Sequence, residues 1–482
     1  MKKLILTILS MGLLVNASVI SAANIGVPSE CEGVMLQGFY WDSYKLDKYG
    51  RTLWVNLTKD TAAINASFDM IWLPPSASSS GGVGYIPAKM NNQNSDWGQK
   101  SSLVALIKAL HDGGTKVIAD IVINHRGNDS SWCTFYADDF TPMYGGKFQL
   151  TRSHICKGDE AFTNPESGCY GSTERGAADT GTDFAGARDL DHTSSYVQEW
   201  AKSYLQWMIG AMKYDGLRYD MTLGYAGKYL SLYNQAAKPY LSVSELWEGI
   251  DKQVSHLKAT DYNTMIFDFP LKYVLGNTLG KSSPNYSLLI KPGTSLRGKG
   301  YKKYAVTFID NHDTFERSDA QSQEFIGYNV DLTDAAVKNK ILQANAYILL
   351  LPGVPCVFWP HWKSYQAEID ALIAVRKQAG IHSESEITEK ADVTYYQATV
   401  QGHRGSVILR LGPGRSTEVP EGYELAIEGG ETAAYTVFVA MYPEGLQTVN
   451  GAAVQGQKFI KDGQLFIRIN EDVYTILGEK IQ

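Results

Sequence analysis

Eight short apolar runs alternate with amphipathic segments from residue 33 onward. Each run is almost continuously hydrophobic, as strands must be when both faces of a parallel sheet are covered. The runs lie at residues 33–41, 70–75, 116–125, 216–222, 241–247, 264–270, 304–313 and 354–362. Eight such strands, each followed by a helix, predict an α/β fold of the (β/α)8 TIM-barrel type.

The segments between the runs carry apolar residues at helical spacing. Ser101 can cap a helix whose apolar positions recur every three or four residues until Gly113 interrupts them. A second apolar stripe lies within residues 195–214, and a third helix is predicted to follow Thr333. The last helix of the series is predicted at residues 367–380.

Two regions depart from this alternation and predict two further domains. Residues 127–193 have little periodicity and are too long for an ordinary connection, so we expect an irregular domain inserted after the third strand. The barrel would then comprise residues 24–126 and 194–382, and residues 383–482 would form a C-terminal antiparallel β domain. Its strands are expected at residues 393–400, 406–411, 435–441, 464–469 and 473–477.

The first 23 residues have the pattern of a secretory signal peptide. Lys2 and Lys3 precede an apolar run at residues 4–15, and Ser21 and Ala23 supply the small residues of a cleavage site. The run is too short to span a bilayer, and no later segment predicts a membrane span. We therefore expect export to the periplasm or the extracellular medium.

Export changes the interpretation of the five cysteines. Cys133, Cys156 and Cys169 lie in the inserted region, where an oxidising compartment would permit one disulfide. Their pairing, and the part taken by Cys31, stays open. Cys356 stands in an apolar run and is expected to be a buried thiol.

The charge of the chain excludes two classes of partner. With a formal net charge of −7 over 482 residues, it offers neither the basic surface that nucleic acid requires nor attraction to anionic lipid. We expect a monomer with a neutral or small partner, without nucleic acid or membrane.

Two opposite charges interrupt the apolar fourth run. Arg218 and Asp220 are two residues apart, so on a strand they share a face, and the guanidinium would keep the carboxylate ionised and oriented. This arrangement prepares a carboxylate for catalysis. A purely structural ion pair explains the stretch equally well when it is taken alone.

More polar residues follow the other strands. Because the active site of such a barrel lies at the C-terminal ends of its strands, Asp220, Glu245 and Asp313 are expected to converge at one mouth. The polar residues near these ends are Asp120, Asn124, His125, Arg218, Asp220, Glu245, Asn311, His312 and Asp313.

Three carboxylates suit two chemistries. They could ligate a divalent metal for proton abstraction, or two could act on a glycosidic bond while the third stabilises the transition state. The second is favoured because the metal chemistry lacks a Lys or His base from a late strand facing the site, and because Arg218 would repel a cation. Aromatic residues that could stack on sugars also lie near the strand ends, although packing explains each one singly: Tyr40, Trp41, Tyr85, Trp97, Trp247, Trp359 and Trp362.

Four ordered segments resemble the motifs of the α-amylase family, glycoside hydrolase family 13. They are DIVINH at 120–125, GLRYD at 216–220, SELW at 244–247 and FIDNHD at 308–313. Shorter pieces resemble the plant-type α-amylases and their bacterial relatives, namely MLQGFYW, GYIP, DTGTDF, DLDH and PGVPCVF. The resemblance covers about residues 33–382 and is much weaker in the C-terminal domain.

The resemblance implies a retaining mechanism. By motif position Asp220 would be the nucleophile, Glu245 the general acid and then base, and Asp313 the stabiliser of the distorted sugar. The remaining roles concern substrate binding: Arg218 would orient Asp220, His125 and His312 would donate to sugar hydroxyls, Tyr85 would stack on the sugar ring, and Trp247 would contact substrate.

The resemblance also implies a calcium ion between the barrel and the inserted domain. The matching ligands are the side chains of Asn124, Asp179 and Asp189 and the carbonyls of Thr182 and Gly224, with Asp183 available to a neighbouring ion. Hard oxygen ligands suit Ca²⁺, and an irregular insert with little core needs such a clamp.

These observations predict hydrolysis of internal α-1,4 bonds in starch, glycogen or maltooligosaccharides. A transglycosylase or maltooligosaccharide-specific hydrolase of the same family is the alternative within enzymes, and an inactive glucan-binding protein is the alternative outside them. One residue departs from the plant-type pattern: Leu223 stands where those enzymes have a Lys. Affinity on the leaving-group side of the bond is therefore in doubt.

Overall fold

A computed structural model describes residues 25–141, 144–315, 331–429 and 434–441, together with the backbone of three strands nearer the C-terminus. The predicted signal peptide at residues 1–23 lies outside the described residues. Within the described part of the chain, no helix has the length and apolar character needed to cross a membrane.

Eight parallel strands close into a barrel, as the alternation of apolar runs predicts. They are β1 (Met35–Gln37), β2 (Met70–Leu73), β3 (Lys116–Ile121), β4 (Gly216–Tyr219), β5 (Ser242–Ser244), β6 (Met265–Phe267), β7 (Ala305–Thr307) and β8 (Val354–Phe358). Each strand pairs with its neighbours in sequence, and β8 closes on β1 through the pair Met35 and Cys356. The predicted barrel is therefore confirmed.

Nine α-helices of the described residues accompany the strands. They are α1 (Leu53–Ser67), α2 (Lys100–Asp112), α3 (Ser195–Gly210), α4 (Gly227–Ala237), α5 (Ile250–Ala259), α6 (Phe269–Thr278), α7 (Ala335–Leu350), α8 (Trp359–Ser364) and α9 (Gln366–Ala379). The predicted cap at Ser101 is wrong, because α2 begins at Lys100 and follows Gln99. Its end at Gly113 and the end of α9 at Gly380 agree with the prediction.

The inserted region is irregular, as expected. Its ordered elements are two-residue strands and short 3-10 turns, and one of these strands, Arg188–Asp189, pairs with His125–Arg126 at the end of the barrel's third strand. A disulfide joins Cys133 to Cys169, while Cys31, Cys156 and Cys356 are buried free thiols. The boundaries of the three domains stay predictions.

The C-terminal part forms an antiparallel sheet in the order β9-β10-β11-β13-β12 and a separate three-stranded sheet. The strands are β9 (Glu386–Ala391), β10 (Tyr396–Gln401), β11 (Gly405–Leu411), β12 (Glu424–Gly429), β13 (Tyr435–Met441), β14 (Gln457–Lys461), β15 (Gln464–Ile469) and β16 (Asp472–Thr475). The sequence pattern missed β9, β12 and β14. The first two carry several charged residues and lie at the edges of their sheet, where burial imposes little hydrophobic signal.

Candidate active site

Arg218 is the centre of the polar groups at the C-terminal end of the barrel. Its Nη1 lies 2.7 Å from Asp120 Oδ1 and 2.8 Å from Asp220 Oδ1, and its Nη2 lies 3.0 Å from Glu245 Oε2. Burial alone would lower the pKa of Arg218, but the three carboxylates together raise it well above its usual value. One fully buried cation thus compensates three acids.

The strand register explains why Arg218 reaches all three acids. Residue 218 on β4 is the direct neighbour of Asp120 on β3 and of Val243 on β5. Glu245 follows β5 two residues beyond Val243, and its amide continues the ladder by donating to the carbonyl of Tyr219. The parallel pairing therefore places three strand ends around one guanidinium.

Asp220 stands immediately after β4 and is almost completely buried. Burial raises its pKa to about 7 against the lowering effect of Arg218, and the charges of Asp120 and Asp313 add to the rise. The prediction that Arg218 orients Asp220 agrees with their direct contact. The expectation that Arg218 alone keeps this acid ionised overlooks the larger effect of burial.

Glu245 shares its environment with Asp220. Its Oε2 accepts a 3.0 Å hydrogen bond from the amide of Met221 in addition to the contact with Arg218. Met221 adopts a left-handed conformation with φ of +44°, which turns the chain directly after Asp220. Burial raises the pKa of Glu245 to about 7, opposed by Arg218 and assisted by Asp220 and Asp313.

Asp313 completes the group of three acids that the motifs predict. Its amide donates to the side chain of Asn311 in a tight turn after β7, and its Oδ2 lies 3.2 Å from His312 Nε2. The other ring nitrogen of His312 contacts Gln37 Nε2 at 3.2 Å. Asp313 is more exposed than Asp220 or Glu245, so it faces the open side of the cluster.

Three flat rings stand in parallel beside the acids. Tyr85 and His312 stack at 5.2 Å, and Trp41 lies parallel to both, at 5.9 Å from Tyr85 and 6.2 Å from His312. The Tyr85 hydroxyl donates to Asp120 Oδ2 at 2.9 Å. Asp120 thus anchors both Arg218 and Tyr85, a role that the sequence did not assign to it.

His125 is placed differently from its predicted role. Its Nε2 donates to the Tyr85 carbonyl at 2.8 Å, its Nδ1 lies 3.3 Å from the side-chain amide of Asn124, and its ring stacks on Phe184. Burial lowers the pKa of His125 to about 4, so the ring is neutral. Donation to a sugar hydroxyl stays a prediction, and it requires exchange of one of these bonds.

Trp247 lies after β5 and contacts two other aromatic residues. Its ring stacks on Phe269 at 4.7 Å, and its Nε1 donates to the hydroxyl of the exposed Tyr273 on α6. The sequence does not predict a role for Tyr273, because nothing in the pattern of α6 shows that this residue reaches Trp247. Trp247 follows Glu245 by two residues along the chain.

The residues predicted to bind calcium lie together. Asn124 Nδ2 donates to Asp189 Oδ1 at 3.1 Å, and a Cβ on Gly224 would stand only 2.0 Å from Asn124 Oδ1. The amide of Thr182 donates to the carbonyl of Leu223 at 2.9 Å, which brings the inserted segment against the turn after β4. The structure therefore brings four of the five predicted ligand residues to one place.

The electrostatics of this second group fit a cation. Burial raises the pKa of Asp189 to about 8, and the charges of Asp179, Asp183 and Asp159 add to the rise. Asp179, the fifth predicted ligand residue, has a buried Oδ2 without a hydrogen-bond partner. A hard divalent ion can bind such carboxylate oxygens, because its charge offsets their mutual repulsion and it coordinates an oxygen that has no hydrogen-bond partner.

Most of the chain is similar to known proteins. The family model described as "Alpha amylase, catalytic domain" matches residues 65–360. The chain is 29% identical over 420 residues to "Alpha-amylase 3, chloroplastic" of Arabidopsis thaliana; this match covers 82% of the chain but only 43% of that relative, so the chain spans less than half of its length.

Two further matches are a bacterial relative and a solved structure. The chain is 26% identical over 412 residues to "Glucan 1,4-alpha-maltotetraohydrolase" of Stutzerimonas stutzeri, covering 78% of this chain and 68% of that one. The alpha-amylase of Geobacillus thermoleovorans, solved in complex with acarbose, superposes with a TM-score of 0.61 at 14% identity, covering 86% of this chain and 99% of that one. This structural likeness confirms the fold.

Proposed function

This chain belongs to the alpha-amylase family of glycoside hydrolases, and from that premise we propose that it cleaves internal α-1,4-glucosidic bonds of starch, glycogen or maltooligosaccharides with retention of configuration. The observation that carries the proposal is the contact of Asp220 and Glu245 with opposite nitrogens of one buried guanidinium, 2.8 Å and 3.0 Å away. A retaining glycosidase needs two carboxyl groups held close together beside the scissile bond.

In the first step Glu245 donates its proton to the glycosidic oxygen while Asp220 attacks the anomeric carbon. The leaving sugar departs with the proton, and a covalent glycosyl ester forms on Asp220. Because the pKa values of both acids are raised to about 7, the pair holds one proton near neutral pH. The reaction requires that this proton reside on Glu245.

In the second step Glu245, now a carboxylate, removes a proton from water. The resulting hydroxide attacks the anomeric carbon from the side that the leaving sugar vacated, and Asp220 is released. Two inversions restore the original configuration. Arg218 stays within reach of both acids throughout and stabilises whichever of them is charged.

The surrounding groups bind the sugar. Asp313, on the open side of the cluster, would accept hydrogen bonds from hydroxyls of a distorted ring, and Tyr85 would stack on its face. His312 is held between Gln37 and Asp313, so its ring has a fixed position beside that acid. Asp120 acts through Arg218 and Tyr85 and is a positioning residue.

We also propose that Ca²⁺ is a structural cofactor. The side chains of Asn124, Asp179 and Asp189 and the carbonyls of Thr182 and Gly224 would hold it. When bound, the ion supplies an oxygen-coordinated clamp between the inserted domain and the turn that follows Asp220. Within that clamp Gly224 must remain glycine, because a Cβ would displace the Asn124 side chain.

The proposed compartment is outside the cytosol, through the signal peptide predicted at residues 1–23. The disulfide between Cys133 and Cys169 supports an oxidising destination, since such bonds persist in secreted and periplasmic proteins. The boundaries predicted from the sequence give the proposed domain layout: a barrel at residues 24–126 and 194–382, a calcium-binding insert at 127–193, and a β domain at 383–482. A monomer is proposed as well.

A time course of products from soluble starch tests the activity. Early release of long maltooligosaccharides, each with the α-anomer at its new reducing end by proton NMR, is the expected result. Release of the β-anomer would contradict the retaining mechanism. No products above the buffer control, with retained binding to immobilised glycogen, would instead support an inactive glucan-binding protein.

A maltooligosaccharide-specific hydrolase or transglycosylase is the second candidate. The observation that favours it is Leu223, which places an apolar side chain on the turn after Asp220 and weakens the case for binding long polymers on the leaving-group side. Chromatography of the products separates the two candidates. One dominant short product from the earliest time, or products longer than the substrate, would favour the second.

A further inference from the structure

A cluster of two imidazoles and one carboxylate lies far along the chain from the catalytic acids. One ring nitrogen each of His382 and His403 and a carboxylate oxygen of Glu30 all lie within 4.8 Å of one another. The two rings stack with their centroids 4.2 Å apart, and His403 Nε2 lies 3.6 Å from Glu30 Oε2. We propose that these three side chains bind a divalent transition-metal ion of the zinc class.

The ligand types select that class of ion. Imidazole nitrogen with one carboxylate is a donor set that Zn²⁺ accepts, whereas Ca²⁺ and Mg²⁺ take oxygen ligands. The cluster is therefore chemically distinct from the proposed calcium ligands around Asp189. Three protein ligands leave a fourth tetrahedral position for water.

The separations require only small adjustments. Ligands that stand about 2.0–2.2 Å from a tetrahedral zinc ion are roughly 3.3 Å from one another. His403 and Glu30 already approach that separation at 3.6 Å. Both side chains are about half exposed, so they can rotate to close the remaining gap, and an ion can enter from solvent.

His403 has the second partner that metal-binding histidines use. Its Nδ1 lies 3.1 Å from Glu32 Oε1, which leaves Nε2 directed toward Glu30. A carboxylate on the far nitrogen fixes the tautomer and orientation of a ligating imidazole. The other oxygen of Glu32 binds Arg404 at 2.5 Å, so this carboxylate is itself held in place.

His382 supplies a neutral, buried ligand. Burial lowers its pKa, and the neighbouring His403 lowers it further, although Glu30, Glu32 and Glu384 act in the opposite direction. Its Nδ1 accepts a hydrogen bond from the Glu384 amide at 3.3 Å, near the long limit for such bonds, which a metal can exchange.

The backbone around the cluster is already fixed. The amides of His403 and Arg404, in the hairpin between β10 and β11, donate to the carbonyls of Gly380 and Ala379 at the end of α9, at 3.0 Å and 2.9 Å. The amide of Glu30 donates to Glu384 Oε2 at 2.9 Å. A bound ion would thus link the N-terminal segment, the last barrel helix and the C-terminal sheet.

Charge around the cluster also favours a cation. The carboxylates of Glu30, Glu32 and Glu384 face the two rings. Arg404 binds Glu32, and Lys303 lies 3.9 Å from Glu384, whereas Glu30 contacts His403. The alternative is a cluster without metal, in which His403 contacts Glu30 and Glu32 directly.

Metal retention on the purified full-length mature protein tests the proposal. The protein is kept in calcium buffer so that its calcium ligands stay saturated, incubated with a small excess of Zn²⁺, gel-filtered and analysed by mass spectrometry of the metal. We expect one Zn²⁺ per chain in the wild type and none in His403→Gln, whose side chain is half exposed and whose fold circular dichroism verifies. His111→Gln is the matched control, because His111 is a partly exposed histidine bound to Asp215 outside the cluster.

Two further measurements sharpen the outcome. Glu32→Gln should weaken zinc binding by about 10- to 100-fold without abolishing it. Co²⁺ should give visible absorption typical of nitrogen and oxygen ligands, without the near-ultraviolet thiolate band that the free cysteines would produce. Zinc also should raise the melting temperature of the wild type and leave that of His403→Gln unchanged.

No retained zinc in the wild type, or equal retention in His403→Gln, would overturn the proposal in favour of a cluster without metal or of adventitious binding. None of these measurements involves hydrolysis of a glucan. Failure here would therefore leave the proposed function untouched, and failure of that function would leave this site untouched.

Discussion

The protein has two acidic clusters, one at the mouth of the barrel and one around Asp189, and their negative charges are compensated in different ways. At the barrel mouth Asp120, Asp220 and Glu245 share the buried guanidinium of Arg218. Around Asp189 the neighbouring acids are Asp179, Asp183 and Asp159, and burial raises the pKa of Asp189 to about 8. Arg188 is close by, but it is bonded to Asp159 and Glu160.

The difference shows that the group compensating buried carboxylates decides what those carboxylates can bind. The first cluster contains its own cation, so it can remain desolvated and act on a neutral sugar. The second has oxygen atoms without a matching protein cation, including the unpartnered Oδ2 of Asp179, so it calls for one from solution. Substitutions in the two clusters should therefore have different effects on activity, on stability and on the response to a chelator.

The largest effect is expected from Asp220→Asn. An amide cannot form the glycosyl ester, so kcat on starch should fall by a factor on the order of 10⁴ or more, the scale on which loss of a nucleophile is measured in other hydrolases. The melting temperature should change little, because a charge is removed from an overcrowded group of acids. Asp112→Asn, on the exposed face of α2, is the control. Substantial remaining activity would contradict the assignment of the nucleophile.

Replacing the shared cation tests the first cluster as a unit. Arg218→Met leaves the buried Asp120 and Asp220 and the partly buried Glu245 without compensation, and loss of one member of a buried ion pair costs about 3–5 kcal/mol. Urea unfolding at neutral pH should show that loss of stability. The loss should shrink at pH 4, where the acids become protonated. A variant as stable as the wild type at pH 7 would show that Arg218 does not stabilise the cluster.

Removing calcium tests the second cluster. If the free ion stands at roughly 100 times its Kd, it contributes about 2.7 kcal/mol to stability, and a chelator should remove that contribution. In Asp189→Asn the melting temperature should become insensitive to chelator, while the wild type keeps the full response. Calorimetry with and without Ca²⁺ measures both. An equal chelator response in the two proteins would place the ion elsewhere.

The pH dependence of stability and of kcat/KM distinguishes the two clusters in the unmodified protein. Burial raises the pKa of both Asp220 and Glu245 to about 7, so folded protein binds protons that unfolded protein, with ordinary carboxyl values near 4, releases. Stability from this pair is therefore greatest below about pH 4 and declines as pH rises toward 7. The kcat/KM profile should be bell-shaped, with an alkaline limb where Glu245 loses its proton.

The matched comparison uses Asp189→Asn at saturating Ca²⁺. Its alkaline limb should coincide with that of the wild type, because the largest influences on the pKa values of Asp220 and Glu245 are burial, Arg218 and the nearer acids, and Asp189 is not among them. A displaced limb would mean that the two clusters are electrostatically coupled. The profile is measured with a short chromogenic maltooligosaccharide so that binding of long chains does not enter.

The smallest effect is expected at the turn between the clusters. Leu223→Lys adds a hydrogen-bond donor on the leaving-group side, and one such bond is worth about 0.5–1.5 kcal/mol, or roughly 2- to 13-fold in KM. KM for long maltooligosaccharides should fall while kcat stays near the wild-type value. The main-chain contact of residue 223 with Thr182 is unaffected by the substitution. Unchanged KM values would mean that this side chain does not meet the substrate.

The barrel could be predicted from the sequence because doubly buried strands leave continuous apolar runs. The runs overestimate strand length, however: residues 304–313 were one run, but the strand is only Ala305–Thr307. The remainder forms the turn that presents His312 and Asp313. The residues proposed to be catalytic therefore look like strand ends in the sequence, but in the structure they lie in the turns that follow the strands.

Residues that stand in a motif were expected at the candidate site. Contacts that depend on strand register or on packing were not predicted from the sequence. Asp120 binds Arg218 because residues 120 and 218 are direct neighbours across two strands, which no local pattern encodes. Tyr273 reaches Trp247 only through the placement of α6. The pairing of Cys133 with Cys169 likewise depends on the path of an irregular segment.

The hairpin of residues 402–404 has a consequence for how this protein can be shortened. Its amides satisfy carbonyls at the end of α9, and a Cβ on Gly402 would come within 2.2 Å of the Ala379 carbonyl oxygen. A chain truncated after residue 382 would lose these donors from its last barrel helix. The C-terminal sheet is thus no detachable module, and chimaeras with other barrels must carry this hairpin, glycine included, across the junction.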